Sequence, residues 1–101
     1  MGGEIWKRVI GFEETYEVSD LGRVRRLDTG LILAPRKTTP GYIGVQLKDK
    51  PRNKKVQKNI HSIVAEAFVG PRAVDRVVNH KNKDKHDNRL ENLVVITKKA
   101  R

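Results

Sequence analysis

Read from its first residue, the chain places apolar side chains mostly at alternate positions, the period of a strand with one buried face. Ile5 to Ile10 predicts a short strand, which Gly11 breaks. Tyr16-Glu17-Val18-Ser19 alternates apolar with polar, and Asp20-Leu21-Gly22 turns the chain. Over Arg23 to Leu27, Val24 and Leu27 point inward and the arginines outward. Asp28-Thr29-Gly30 turns again, and Leu31-Ile32-Leu33 runs back to Pro35, which makes a meander of short strands. Arg36 to Pro40 reads as a polar connector. Tyr42, Val45 and Leu47 anchor a strand over 41–48. A basic turn over 49–55, containing Pro51 and Asn53, leads into Val56 to Ile60, the second arm of a hairpin.

The period then changes. Ile63, Val64, Ala67 and Phe68 fall on one helical face, with Ser62 as a cap and Gly70-Pro71 as a stop. Two short apolar strands follow, Val77-Val78 and Val94-Val95-Ile96. Between them runs a polar stretch, Asn79 to Asn92, dense in Lys, Asn and Asp. The predicted fold class is α+β: short antiparallel strands, one central helix and a small C-terminal hairpin. The connector at 36–40 is too short to separate independent domains. Residues 1–35 and 36–101 are therefore expected to be two segments of one compact unit.

Charge changes the picture from fold to partner. The chain carries 22 Lys plus Arg against 12 Asp plus Glu, a net +10. Residues 1–35 are near balance, with 5 basic and 6 acidic side chains. Residues 36–60 hold 8 basic side chains and a single acid, Asp49. A local excess of this kind suits a polyphosphate, because each neutralised phosphate releases condensed counterions. The expected partner is a nucleic acid. The candidate contacts are Arg23, Arg25, Arg26, Arg36, Lys37, Lys54, Lys55, Lys58, Lys81 and Lys83. Aromatic side chains for stacking unpaired bases are few, which disfavours an RNA-binding module. No small-molecule substrate is expected. There is no cysteine, so disulfides and thiolate zinc sites are excluded. No apolar run approaches the roughly 20 residues that span a bilayer. The default location is the cytoplasm.

The segment Val77-Val78-Asn79-His80-Lys81, followed by Asn88-Arg89-Leu90-Glu91-Asn92-Leu93 and Thr97, carries the chemistry. It resembles the HNH motif of phage and homing endonucleases, a finger of two strands and a helix around a metal. The stretch His61 to Phe68 resembles what that family places before the finger. Trp6-Lys7-Arg8-Val9 and Tyr16 to Val24 resemble the modular DNA-binding motif often joined to these nucleases. The resemblance implies a DNA endonuclease, a phosphodiester hydrolase, that nicks one strand with a divalent metal, Mg2+ or Mn2+. It implies His80 as general base, histidine being the side-chain type suited to proton transfer near neutral pH. It implies Asn92 holding the His80 ring through an amide hydrogen bond, and Asn79 giving a carbonyl oxygen to the metal. It also places the protein in a bacterial host or a phage-infected cell.

Other readings stand beside these. Asn92 is also a turn residue. His61 fits packing or capping better than metal binding, His86 fits a solvated position, and Asp84 and Asp87 fit as balance for the lysines. One departure matters: the family carries a further ligand, Asn or His, about four residues after the threonine, and here that count reaches Arg101. The finger's last helix is then short or missing. The alternative function is a catalytically inactive or truncated HNH-like DNA-binding protein.

Overall fold

The computed structural model describes residues 3–38, 41–70 and 76–97. The fold is α+β: among the described residues, eight strands form three antiparallel sheets with one α-helix at their junction. The first sheet joins β1 (Trp6–Arg8), β2 (Tyr16–Ser19) and β3 (Val24–Arg26) in sequence order. Its buried positions alternate as the pattern requires, with Val18 and Val24 paired across the ladder and both essentially inaccessible. The first strand is shorter than Ile5 to Ile10, because Ile5 and Ile10 are exposed and pair with nothing in the ladder. The expected strand over Leu31 to Leu33 contracts to a bridge between Arg25 and Ile32. Leu31 and Ile32 lie on the surface, so no burial holds that segment in an extended ladder.

The second sheet joins β4 (Arg36–Thr38), β5 (Tyr42–Asp49) and β6 (Lys54–Asn59). The polar connector expected over 36–40 is thus in part a strand. Its residues pair with Tyr42, Ile43 and Gly44, so main-chain hydrogen bonding extends a sheet where no apolar period announces one. Gly44 makes this possible. A Cβ there would stand 2.7 Å from the Lys58 carbonyl oxygen and 2.9 Å from the Thr38 methyl. Across the space left open, the Thr38 hydroxyl donates to the Asn59 side-chain oxygen at 2.8 Å.

That bond also explains how the helix begins. The helix α1 (Ile60–Phe68) starts two residues before Ser62, with Asn59 at its N-cap and no side-chain cap bond. The Asn59 side chain already faces Thr38, and Ser62 lies inside the first turn. Ile60, Ile63 and Val64 enter the core with Val9, Tyr16, Val18, Val24, Val45, Leu47 and Leu93, so segments on both sides of residue 35 share one apolar cluster. The third sheet is the hairpin β7 (Arg76–His80) and β8 (Leu93–Thr97), with a short 3-10 turn, η1 (Leu90–Asn92), leading into β8. Pro71 and the Arg101 position lie outside the described residues. Among the described residues no helix is long and apolar enough to cross a membrane.

Candidate active site

His80 closes β7, where it pairs with Leu93 of β8. Its ring sits in a cluster of aromatic side chains brought from three elements. The Tyr42 ring of β5 lies 6.2 Å away at an angle of 29°, and the His61 ring of α1 lies 5.3 Å away, edge-on. Tyr42 and His61 are themselves 4.7 Å apart. Lys85, from the loop after β7, places its ammonium 4.8 Å from the centre of the Tyr42 ring. A cation over an aromatic face is attracted by the ring quadrupole, so this positive charge is held at the margin of the His80 cluster.

The amide on the His80 ring belongs to Asn88. Its Oδ1 lies 2.7 Å from His80 Nε2, and Asn88 is buried, 5% exposed. An amide oxygen only accepts, so this contact is a hydrogen bond in the tautomer that carries the proton on Nε2 and leaves Nδ1 as the acceptor. The expected bond from Asn92 to the ring is therefore corrected. Asn92, 6% exposed, instead binds the loop. Its Nδ2 donates to Asn82 Oδ1 at 3.0 Å and to the Asp87 carbonyl at 2.8 Å, while its Oδ1 accepts from the Asn82 N–H at 3.2 Å. Asx side chains bond readily to nearby backbone groups. Here they shape a polar loop that no apolar side chain could hold.

The loop carboxylates have structural duties. Asp84 accepts from the His86 N–H at 3.0 Å. Asp87 receives a two-pronged bond from Arg89, at 2.8 Å to each oxygen, and a third from Asn82. The Arg89 guanidinium, with Asn82 beside it, holds the Asp87 carboxyl well below its usual range, and the Arg89 pKa is raised in turn. Asp87, engaged at both oxygens, is no loose ligand in reserve. Asn79 is exposed on the alternate face of the same strand as His80. Its amide oxygen is a hard donor of the type magnesium and manganese accept. Among the described residues no group of three His, Cys, Asp or Glu could cage a metal. A single amide oxygen is compatible with an ion whose other ligands are water and substrate phosphate.

The basic candidates separate by what they face. Arg23 pairs with Glu4, Arg25 with Glu17 and Arg26 with Asp28. Arg25 also lies 3.9 Å from the centre of the Trp6 ring. Lys58 pairs with Glu66 of α1 at 3.2 Å. In the second sheet, cross-strand partners share a face. One face carries Val45, Leu47 and Asp49 with Lys58, Val56 and Lys54, and packs inward. The other carries Gly44, Gln46 and Lys48 with Arg36, Asn59, Gln57 and Lys55. Lys55 and Arg36 thus share the open face, while Lys54 and Lys37 lie on the alternate one, exposed near its rim. Lys81 and Lys83 are exposed in the loop. Lys48, Tyr42, Lys85 and Asn88 were absent from the sequence-based candidates. For Lys48 the signal was the alternation Val45-Gln46-Leu47-Lys48, and Asn88 stands in the motif segment without a feature that sets it apart from Asn92; for Tyr42 and Lys85 no local pattern exists, since their partners come from distant elements.

Residues 4–60 match the NUMOD4 motif, and residues 58–101 match the HNH endonuclease family. The chain belongs to the NUMOD4-bearing HNH endonucleases. It is 44% identical over 98 residues to an uncharacterized HNH endonuclease of Acanthamoeba polyphaga mimivirus, covering 93% of this chain and 24% of that protein. It is 32% identical over 94 residues to DNA endonuclease I-HmuI of Bacillus phage SP01, covering 93% of this chain and 53% of the phage enzyme. The solved structure of that HNH homing endonuclease, described as showing DNA binding and cleavage, superposes with a TM-score of 0.80 at 31% identity. The match covers 92% of this chain and 52% of that one. The chain thus spans between a quarter and about half the length of these HNH relatives. HNH nucleases generally use a divalent metal ion.

Proposed function

We propose that this chain nicks double-stranded DNA by metal-assisted hydrolysis, with His80 as general base. The observation that supports it most is the setting of the His80 ring: Nε2 tied to a buried amide, flanked by Tyr42 and His61, at one end of a basic sheet face. Fixing one ring nitrogen leaves the other in a defined direction, which a general base requires. Nδ1 takes a proton from water as the water oxygen attacks phosphorus, and the bond to the leaving ester oxygen breaks. A divalent ion, magnesium or manganese, would be held in part by Asn79 and would place positive charge near the leaving oxygen. Lys85 adds a fixed cation beside the same cluster.

The DNA is proposed to lie along the open face of the second sheet. Tyr42 shares that face with Lys48 six residues on, which is roughly 20 Å of strand. The phosphate backbone would then run past Lys48, Lys55 and Arg36 toward His80, with Lys81 and Lys83 at the loop end. A single candidate site among the described residues fits the cutting of one strand.

Supercoiled plasmid incubated with magnesium or manganese provides the test. Wild type should convert it to the nicked form. His80→Ala should lower the rate by about 10²–10⁴, the usual contribution of a general base, with DNA affinity nearly unchanged. Asn79→Asp should increase metal affinity, since a carboxylate holds magnesium better than an amide. A wild type that binds DNA but shows no nicking with either ion would leave DNA binding without cleavage as the function.

A further inference from the structure

We propose that the Asp20-Leu21-Gly22 turn of the N-terminal motif is a positioning element for cleavage, holding Asn88 and, through it, the His80 ring. This rests on the reading of His80 as the base.

Two contacts join the turn to the catalytic loop, although nearly seventy positions separate them in the chain. The Leu90 N–H donates to the Asp20 carbonyl at 2.7 Å. Gly22 packs so closely that a Cβ would stand 2.9 Å from the Asn88 carbonyl oxygen and 3.2 Å from its Cβ. Asn88 is itself one side of the second contact, two residues before Leu90, and its side chain makes the 2.7 Å bond to His80 Nε2. The Asn82–Asn92 amide pair ties the two ends of the loop, but its bonds do not include the His80 ring. Asn88 is the link from loop to ring, and the turn is what Asn88 rests on.

The turn is itself rigid, as a support must be. Ser19 is fully buried, and its hydroxyl accepts from the Leu21 N–H at 3.1 Å and the Arg23 N–H at 3.2 Å. Asp20 is fastened to Ile5 twice: its N–H donates to the Ile5 carbonyl at 3.0 Å, and its Oδ1 accepts from the Ile5 N–H at 3.1 Å. Any β-turn could serve the first sheet alone. A turn that excludes a side chain because Asn88 occupies the space serves the neighbouring loop as well. Gly22 and the Asp20 carbonyl therefore act through Asn88, as positioning groups rather than catalytic ones.

A matched glycine separates this contact from backbone strain. Gly22 has φ +84°, and Gly11 has φ +87° with nothing within 4 Å of its would-be Cβ. Alanine is strained similarly at both, and only Gly22→Ala pushes on Asn88. Displacing a catalytic group by about 1 Å can cost on the order of 10²-fold in rate. Gly22→Ala should lower kcat for plasmid nicking by about 10- to 100-fold with KM and DNA affinity near wild type, while Gly11→Ala keeps wild-type kcat. The His80 ring N–H, protected in wild type by its bond to buried Asn88, should exchange faster in Gly22→Ala and in Asn88→Ala when followed by NMR. If Gly22→Ala does not fold, Leu90→Pro replaces it. It deletes the N–H that reaches Asp20 at a first helical position where proline fits, and it should show the same kcat loss and faster exchange.

Equal kcat in Gly22→Ala and Gly11→Ala, whether both intact or both reduced, overturns the proposal, as does a His80 N–H still protected in Gly22→Ala. A dead His80→Ala beside a fully active Gly22→Ala sinks this inference alone. A His80→Ala that cuts like wild type sinks the reading beneath it.

Discussion

The arginines of the first sheet and the basic residues of the second are alike in sequence and opposite in setting. Arg23, Arg25 and Arg26 each meet a carboxylate of their own segment: Glu4, Glu17 and Asp28. The Arg23 hydrogen bond lowers the Glu4 pKa, and Arg26 does the same to Asp28. Lys48, Lys55 and Arg36 share an open sheet face, and among the described residues no carboxylate lies within ion-pair distance of them. Net charge counts both groups equally, whereas a polyphosphate would meet chiefly the second. An arginine already neutralised must give up its partner before it releases any counterion from DNA.

The largest expected effect lies where the two regions join. The Tyr16 ring is buried in the core with β2, and its hydroxyl accepts from the Lys48 N–H at 2.9 Å, across 32 positions of chain. Tyr16→Ala removes a buried aromatic and the acceptor together, and should destabilise the fold by about 3–5 kcal/mol. Tyr16→Phe keeps the ring and should lose only about 0.5–1.5 kcal/mol. Denaturant melts of both variants check this. If Tyr16→Ala unfolds at the wild-type midpoint, the two sheets do not share a core and the comparison must be redrawn.

Next in size is the test of the comparison itself. Lys48→Ala with Lys55→Ala should make the dependence of log affinity on log salt shallower by about 0.9 for each phosphate that is no longer neutralised. Arg23→Ala with Arg26→Ala should leave that slope near wild type. DNA titrations from low to moderate salt read both. A slope that flattens in the arginine pair and not in the lysine pair would move the DNA to the first sheet.

How much of this was legible in the sequence depends on what holds each part. Alternation revealed β2, β3 and β5 because one face of each is buried, as at Val18, Val24, Val45 and Leu47. The helix showed itself through Ile63, Val64, Ala67 and Phe68, although its start at Ile60 did not, because Asn59 is turned toward Thr38. β4 was illegible, since main-chain bonds to β5 hold it and Arg36 and Lys37 bury nothing. At the site, the resemblance pointed to His80 and Asn92. The division of labour between Asn88 and Asn92 was not readable: both are buried Asn residues in one polar loop, and only the folded hairpin decides which amide reaches the ring. Tyr42 and Lys85 meet by tertiary contact alone.

The smallest expected effect extends the comparison into the loop between β7 and β8. Arg89 belongs with the internally paired arginines, gripping Asp87 with two bonds of 2.8 Å while Asn82 adds a third at 3.0 Å. The Asp87 pKa is depressed first of all by the Arg89 hydrogen bonds. A carboxylate whose folded pKa is lowered contributes stability above its unfolded value, and loses it only as the pH falls through the depressed value. The loop should therefore keep this anchor through about pH 4, where ordinary carboxylates titrate, and release it in stronger acid. The contribution is modest because the pair is at the surface and screened. A carbon-13 titration of the Asp87 carboxyl should show its midpoint clearly below the ordinary aspartate range. In melts, the gap between wild type and Asp87→Asn should stay constant from neutral pH to about pH 4 and close below it. An Asp87 midpoint in the ordinary range would show that Arg89 is released in solution, and would return it to the basic side chains available to DNA.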